Sequence, residues 1–71
     1  MKEIKITSEY IKLGQFLKFA TIIDSGAQAK QFLEEYDIYV NGEIEKRRGR
    51  KLYNNDIIEF NKIRYVIKLD E

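Results

Sequence analysis

The sequence predicts an α+β domain in which a short helix pair, helix-turn-helix in form, packs on a small antiparallel sheet. Three observations carry that prediction. Apolar residues recur twice at helical spacing between Leu13 and Tyr36, the period shortens to two from Ile38 onward, and Asn41-Gly42 interrupts that alternation with a strong hairpin signal. The order is a strand, two helices, then several strands, and 71 residues suffice for one core, so 1–71 is read as a single domain.

Each element follows from its local pattern. Lys2 to Thr7 alternates charge with Ile4 and Ile6, which marks a short half-buried or edge strand. Leu13, Phe16, Leu17 and Ala20 form one apolar stripe on a first helix, and Ala29, Phe32, Leu33 and Tyr36 repeat it on a second. Ser25-Gly26-Ala27-Gln28 has the form of a capping box, so the second helix starts with Ser25 as N-cap and Gln28 as its reciprocal partner. The linker Thr21–Asp24 is short, so the helices turn back on each other, with Ile22 and Ile23 packed beneath the turn. Ile38 and Val40 point one way with Tyr39 opposite, and Glu43-Ile44-Glu45 is the return arm of the first hairpin. Asn54-Asn55-Asp56 marks a further turn, after which Ile57–Phe60, a turn at Asn61-Lys62 and Ile63–Leu69 form a second hairpin.

Composition narrows the function. The chain contains no Cys and no His, which removes thiolate and imidazole chemistry, disulfides and soft-metal sites. Asp24, Asp37, Asp56 and Asp70 are scattered, with no acidic loop for a hard cation. A non-enzyme without metal, cofactor or small-molecule substrate is expected. No stretch approaches the ~20 apolar residues of a bilayer span, and the charged start Met1–Lys5 does not open a signal peptide, so the expected location is cytoplasmic with no membrane partner.

The charge is unevenly placed. The formal net charge is only +1, yet Lys46-Arg47-Arg48-Gly49-Arg50-Lys51 gathers five of the 13 basic residues in six positions. Close like charges repel, which favours a polyanionic partner. Arg47, Arg48 and Arg50 suit bidentate phosphate contacts, and Gly49 lets the backbone approach a ligand. A second candidate cluster is the helix start that Ser25 caps, where the free N–H groups of Gly26, Ala27 and Gln28 suit a phosphate, with Lys30 one turn further on. Tyr39 and Tyr53 are candidates for stacking on an unpaired base.

Leu13-Gly14-Gln15-Phe16-Leu17-Lys18, then Asp24-Ser25-Gly26-Ala27-Gln28-Ala29-Lys30, then Ile38-Tyr39-Val40-Asn41-Gly42 together resemble the S-four RNA-binding domain, named after ribosomal small-subunit protein four. The match runs from about residue 11 to 60 and is similar to the stand-alone bacterial YaaA-type proteins, which carry a comparable Asn-Gly-Glu followed by Arg-Arg-Gly-Arg-Lys-Leu-Tyr. The resemblance implies an RNA-binding fold whose helix pair and following hairpin share one basic face. Lys12 stands where the family usually has Arg, Gly14 where it has Asp, and Gly26 where an Arg normally follows the Ser matched by Ser25. Ala29 matches the small residue at which the helices pack closely, and Asn41 and Gly42 match the turn.

The expected function is therefore a module that binds structured ribosomal RNA, or a ribosome or assembly intermediate, with ribosomal or assembly proteins as further partners. Its expected RNA-binding residues are Lys12, Gln15, Ser25, Gly26, Gln28, Lys30, Asn41, Gly42, Lys46, Arg47, Arg48, Arg50 and Lys51. The alternative is a protein-interaction adaptor that pairs through the Lys2–Thr7 edge and docks its Arg-rich loop on an acidic partner. Double-stranded DNA is a weaker reading, since Gln28, Lys30 and Gln31 are the only base-reading candidates on the second helix and Glu34-Glu35 repel phosphate.

Overall fold

The computed structural model describes residues 1–70. Strands β1 (Lys2–Ile6) and β2 (Tyr10–Lys12) precede helix α1 (Leu13–Phe19). A 3₁₀ turn, Gly26–Gln28, leads into helix α2 (Ala29–Glu35). Then come β3 (Tyr39–Val40), β4 (Glu43–Ile44), β5 (Lys51–Tyr53), β6 (Ile57–Phe60) and β7 (Ile63–Leu69).

The larger sheet has the order β1-β7-β6-β3-β4, and β2 pairs with β5 in a separate ribbon. The α+β class and both hairpins agree with the sequence. The larger sheet, however, is mixed rather than antiparallel, because β1 runs parallel to β7 with Ile4 beside Ile67 and Ile6 beside Leu69. Parallel pairing of strands from opposite ends of the chain leaves no hairpin signal to read, and it is decided by the shared need of Ile6 and Ile67 to be buried.

Both helices present the stripes their spacing demands. Leu13, Phe16, Leu17, Ala29 and Leu33 are buried against Ile38, just before β3, and against Val40, Ile58, Tyr65 and Ile67 of the sheet. Phe16 meets Tyr65 edge-on, with ring centroids 5.3 Å apart. Ile23 is buried beneath the inter-helix turn, with Ile22 packed beside it. The cap on the second helix uses Gln28, whose Oε1 accepts from Asp24 and Ser25 N–H groups at 2.8 and 3.0 Å. Its first turn is 3₁₀, so the α-helix proper begins one turn later than the cap suggests. Tyr36 lies just past the end of α2 and is about half exposed, packing on Phe32 and edge-on to Phe60 instead of entering the core.

The turns carry left-handed residues where the sequence placed them. Asn41 (φ 51°) and Gly42 (φ 86°) close the first hairpin, and Asn61 (φ 53°) and Lys62 (φ 66°) the second. Asn41 also ties that turn to the β5–β6 connection. Its Nδ2 donates to Asp56 Oδ1 at 3.1 Å and its Oδ1 accepts from the Ile57 N–H at 2.9 Å.

Candidate nucleic-acid interface

The ribbon β2–β5 governs the position of the basic segment. Tyr10 pairs with Tyr53, Ile11 with Leu52 and Lys12 with Lys51, and Ile11 and Leu52 are buried. This register brings the loop 46–50 against the start of α1. There the backbone carbonyls of Arg50 and Arg48 accept from the N–H groups of Leu13 and Gly14 at 2.8 and 2.9 Å. The loop thereby satisfies donors that a helix start leaves without intrahelical partners. A methyl group at Gly14 would lie 3.4 Å from Ala29 Cβ and 3.5 Å from the Arg48 carbonyl oxygen, so α1, α2 and the loop converge on this glycine.

Glu45 organises the loop from within. It is 7% exposed. Its Oε2 accepts from the backbone N–H groups of Lys46 and Arg47, each at 3.1 Å, and from Arg47 Nε at 3.0 Å. Its Oε1 accepts from Arg47 Nη2 at 3.0 Å and Arg50 Nη1 at 2.8 Å. Hydrogen bonds from the Arg47 guanidinium hold the Glu45 carboxyl down at about 2 against the opposing effect of burial, with Arg50 adding to the shift. Lys46 Nζ turns to the Tyr36 carbonyl at 3.0 Å and Asp37 Oδ1 at 3.1 Å. The five charges are thus not left to repel one another, since Lys46, Arg47 and Arg50 have carboxylate partners. The sequence expectation of a mutually repelling run omitted Glu45 and Asp37, whose contacts exist only in the folded chain.

Two clefts flank the loop and meet at Gly49. The first, of about 310 Å³, lies between the start of α1, the entry to α2 and the loop. Lys12, Lys18 and Arg48 line it together with Gln15 and Phe19, with Gly26 also at its wall, and among the described residues no carboxylate does. Among the described residues these three cations make no ion pair. The second cleft is lined by Arg47, Gly49, Arg50, Lys51 and Tyr53, again without a carboxylate among the described residues. Lys51 Nζ also sits 4.7 Å from the centre of the Tyr10 ring, whose neighbour Tyr53 is 5.8 Å away.

The structure therefore assembles part of the expected set. Lys12, Gln15, Gly26 and Arg48 share the first cleft, and Arg47, Arg50 and Lys51 the second. Gln15 has a local duty as well, accepting from the Lys12 N–H at 3.0 Å. Ser25, Gln28 and Lys30 are exposed but line neither cleft, and Asn41 and Gly42 serve the β3–β4 turn. Lys18 and Phe19 are residues that sequence reasoning passed over. Both fall off the apolar stripe of α1, which for a Phe is the signal that would have singled it out.

A helix pair on a small mixed sheet, with a basic loop locked to the first helix and cation-lined clefts on either side, defines a compact α+β module built around one cationic face. The sequence profile of the S4 domain matches residues 4–68, and the chain belongs to the S4 domain family. It is also 55% identical over 56 residues, covering 79% of each chain, to a protein of Bacillus subtilis (strain 168) described as "Probable ribosome maturation protein RlbA". Among the described residues no helix is long and apolar enough to cross a membrane.

Proposed function

We propose that this chain is a non-catalytic RNA-binding module that holds structured ribosomal RNA, or a ribosome assembly intermediate, by its phosphates. S4 family membership and the ribosome-maturation description of the Bacillus relative support an RNA-binding, ribosome-related role. The observation that carries the reading is the first cleft, where Lys12, Lys18 and Arg48 converge with no carboxylate among the described lining residues. Arg47, Arg50 and Lys51 extend that face across Gly49. Guanidinium forks and ammonium groups meeting a backbone give affinity and register with little sequence preference. Action is by binding alone, in the cytosol where ribosomes are built, and the 71 residues work as one domain.

The adaptor reading rests on β1, which among the described residues pairs only with β7 and so lies at the edge of the sheet. Its alternating Lys2, Glu3 and Lys5 are the charges with which natural sheets discourage edge pairing, so the cationic face is favoured.

Binding of ribosomal RNA fragments, followed by fluorescence anisotropy across a salt series, tests the proposal. Lys12, Lys18, Arg48 and Lys51 contacting phosphate give a slope of log affinity against log salt of roughly −3 to −4. Arg48→Glu reduces affinity for every fragment and lowers the slope by about one. Arg48 is the informative site, because changing Arg47 or Arg50 would also break the Glu45 cluster. A slope near zero, or RNA binding unmoved by Arg48→Glu, refutes the reading.

A further inference from the structure

Phe19 is the unexplained feature of the first cleft. It ends α1 and is 52% exposed. The other three Phe residues, Phe16, Phe32 and Phe60, each pack against another ring, edge-on for Phe16 and Phe60, whereas Phe19 has no aromatic partner among the described residues. Among the described residues it is the only aromatic in a cleft otherwise lined by Lys12, Lys18, Arg48, Gln15 and small residues. Exposing a large apolar ring to water among cations is unfavourable for an isolated domain. It suits a ligand that presents a flat π-face and a negative charge together.

We infer that the cleft takes one unpaired RNA nucleotide, its base stacked on Phe19 and its phosphate held by Lys12, Lys18 and Arg48. The inference rests on the proposed RNA-binding function and adds the structural element that is recognised: a bulged or looped-out base within otherwise structured RNA. The dimensions agree. About 310 Å³ lies at the small end of the ~300–1,000 Å³ range of ligand clefts. Gly14 and Gly26 both line the wall, and the space beside Gly26 is open, with nothing within 4 Å of where a side chain would begin. Gln15 has its Oε1 committed to the Lys12 N–H. Its amide N–H₂ has no protein partner among the described residues and can donate to the edge of a stacked base or to its ribose.

The test uses the whole protein with two synthetic RNA duplexes, one carrying a single bulged 2-aminopurine and the other fully paired. The expected result is tighter binding of the bulged duplex, with quenching of 2-aminopurine fluorescence as the base stacks. Phe19→Ala then loses about 5- to 150-fold in affinity for the bulged duplex, the range spanned by ~1–3 kcal/mol per stacked base, and abolishes the quenching. Phe19→Tyr retains both, which separates stacking from any general effect of altering the site. Phe19→Ala binding and quenching like the parent, while Arg48→Glu still weakens both duplexes, overturns the stacked nucleotide and leaves the RNA-binding function standing. Failure of the unaltered protein to bind either duplex or ribosomal RNA overturns both.

Discussion

Replacing Glu45 by Gln removes the one carboxylate around which the basic loop is built. The side chain accepts five hydrogen bonds, from two backbone N–H groups and from the guanidiniums of Arg47 and Arg50. A carboxyl held near 2 rather than its ordinary 4.5 corresponds to at most ~3 kcal/mol at pH 7. Arg47 is 74% exposed and Arg50 33%, so solvent screening reduces the expected effect to about 1–2 kcal/mol. For a domain of this size that is a Tm lower by about 4–16 °C. The pH dependence has a definite sign. Because the folded state holds the proton less tightly than the unfolded state, the contribution is present in full above about 4.5 and fades as pH falls towards about 2. Urea titrations of parent and Glu45→Gln, followed by circular dichroism at pH 7 and again near pH 2, should therefore show a stability gap at the first pH that closes at the second. An equal gap at both values, or none at pH 7, would refute the assignment of Glu45 as the ionised centre of the loop.

Other consequences follow from backbone and packing. Lys62 sits at φ 66°, where a side chain strains the turn, so Lys62→Gly should raise stability in chemical denaturation by about 0.5–1 kcal/mol. Asn41→Ala loses both side-chain hydrogen bonds to the β5–β6 connection and leaves a non-glycine residue at φ 51°, which should cost about 1–3 kcal/mol in the same assay. At Gly14 a single methyl meets Ala29 and Arg48 at 3.4–3.5 Å and is offset by better helix propensity, so Gly14→Ala should be close to neutral. Gly14→Val adds two further methyl groups at the junction of α1, α2 and the loop, and should lose about 1–3 kcal/mol in thermal melts and weaken RNA binding by displacing Arg48.

Much of the framework was legible because it is encoded by near neighbours. The stripe Leu13, Phe16, Leu17 specifies the buried face of α1 through the helical period alone, and Ala29, Phe32 and Leu33 do the same for α2. Asn41-Gly42 and Asn61-Lys62 announce their turns because few residues tolerate positive φ. The basic run, read directly, already pointed towards an anionic partner.

Tertiary structure alone decided how those pieces form a cationic cleft. Strands β2 and β5 are three residues each, too short to show a period, and they find each other only because Ile11 and Leu52 are buried together. That pairing sets the loop on the first turn of α1 and so gathers Lys12, Lys18 and Arg48 around Phe19. Charge shows the same division. The sequence determined that five cations would lie close together, but burial of Glu45 beside Arg47 and Arg50 determined which remain unpaired, because a carboxylate withdrawn from water must find its counter-charges wherever the folded chain brings them.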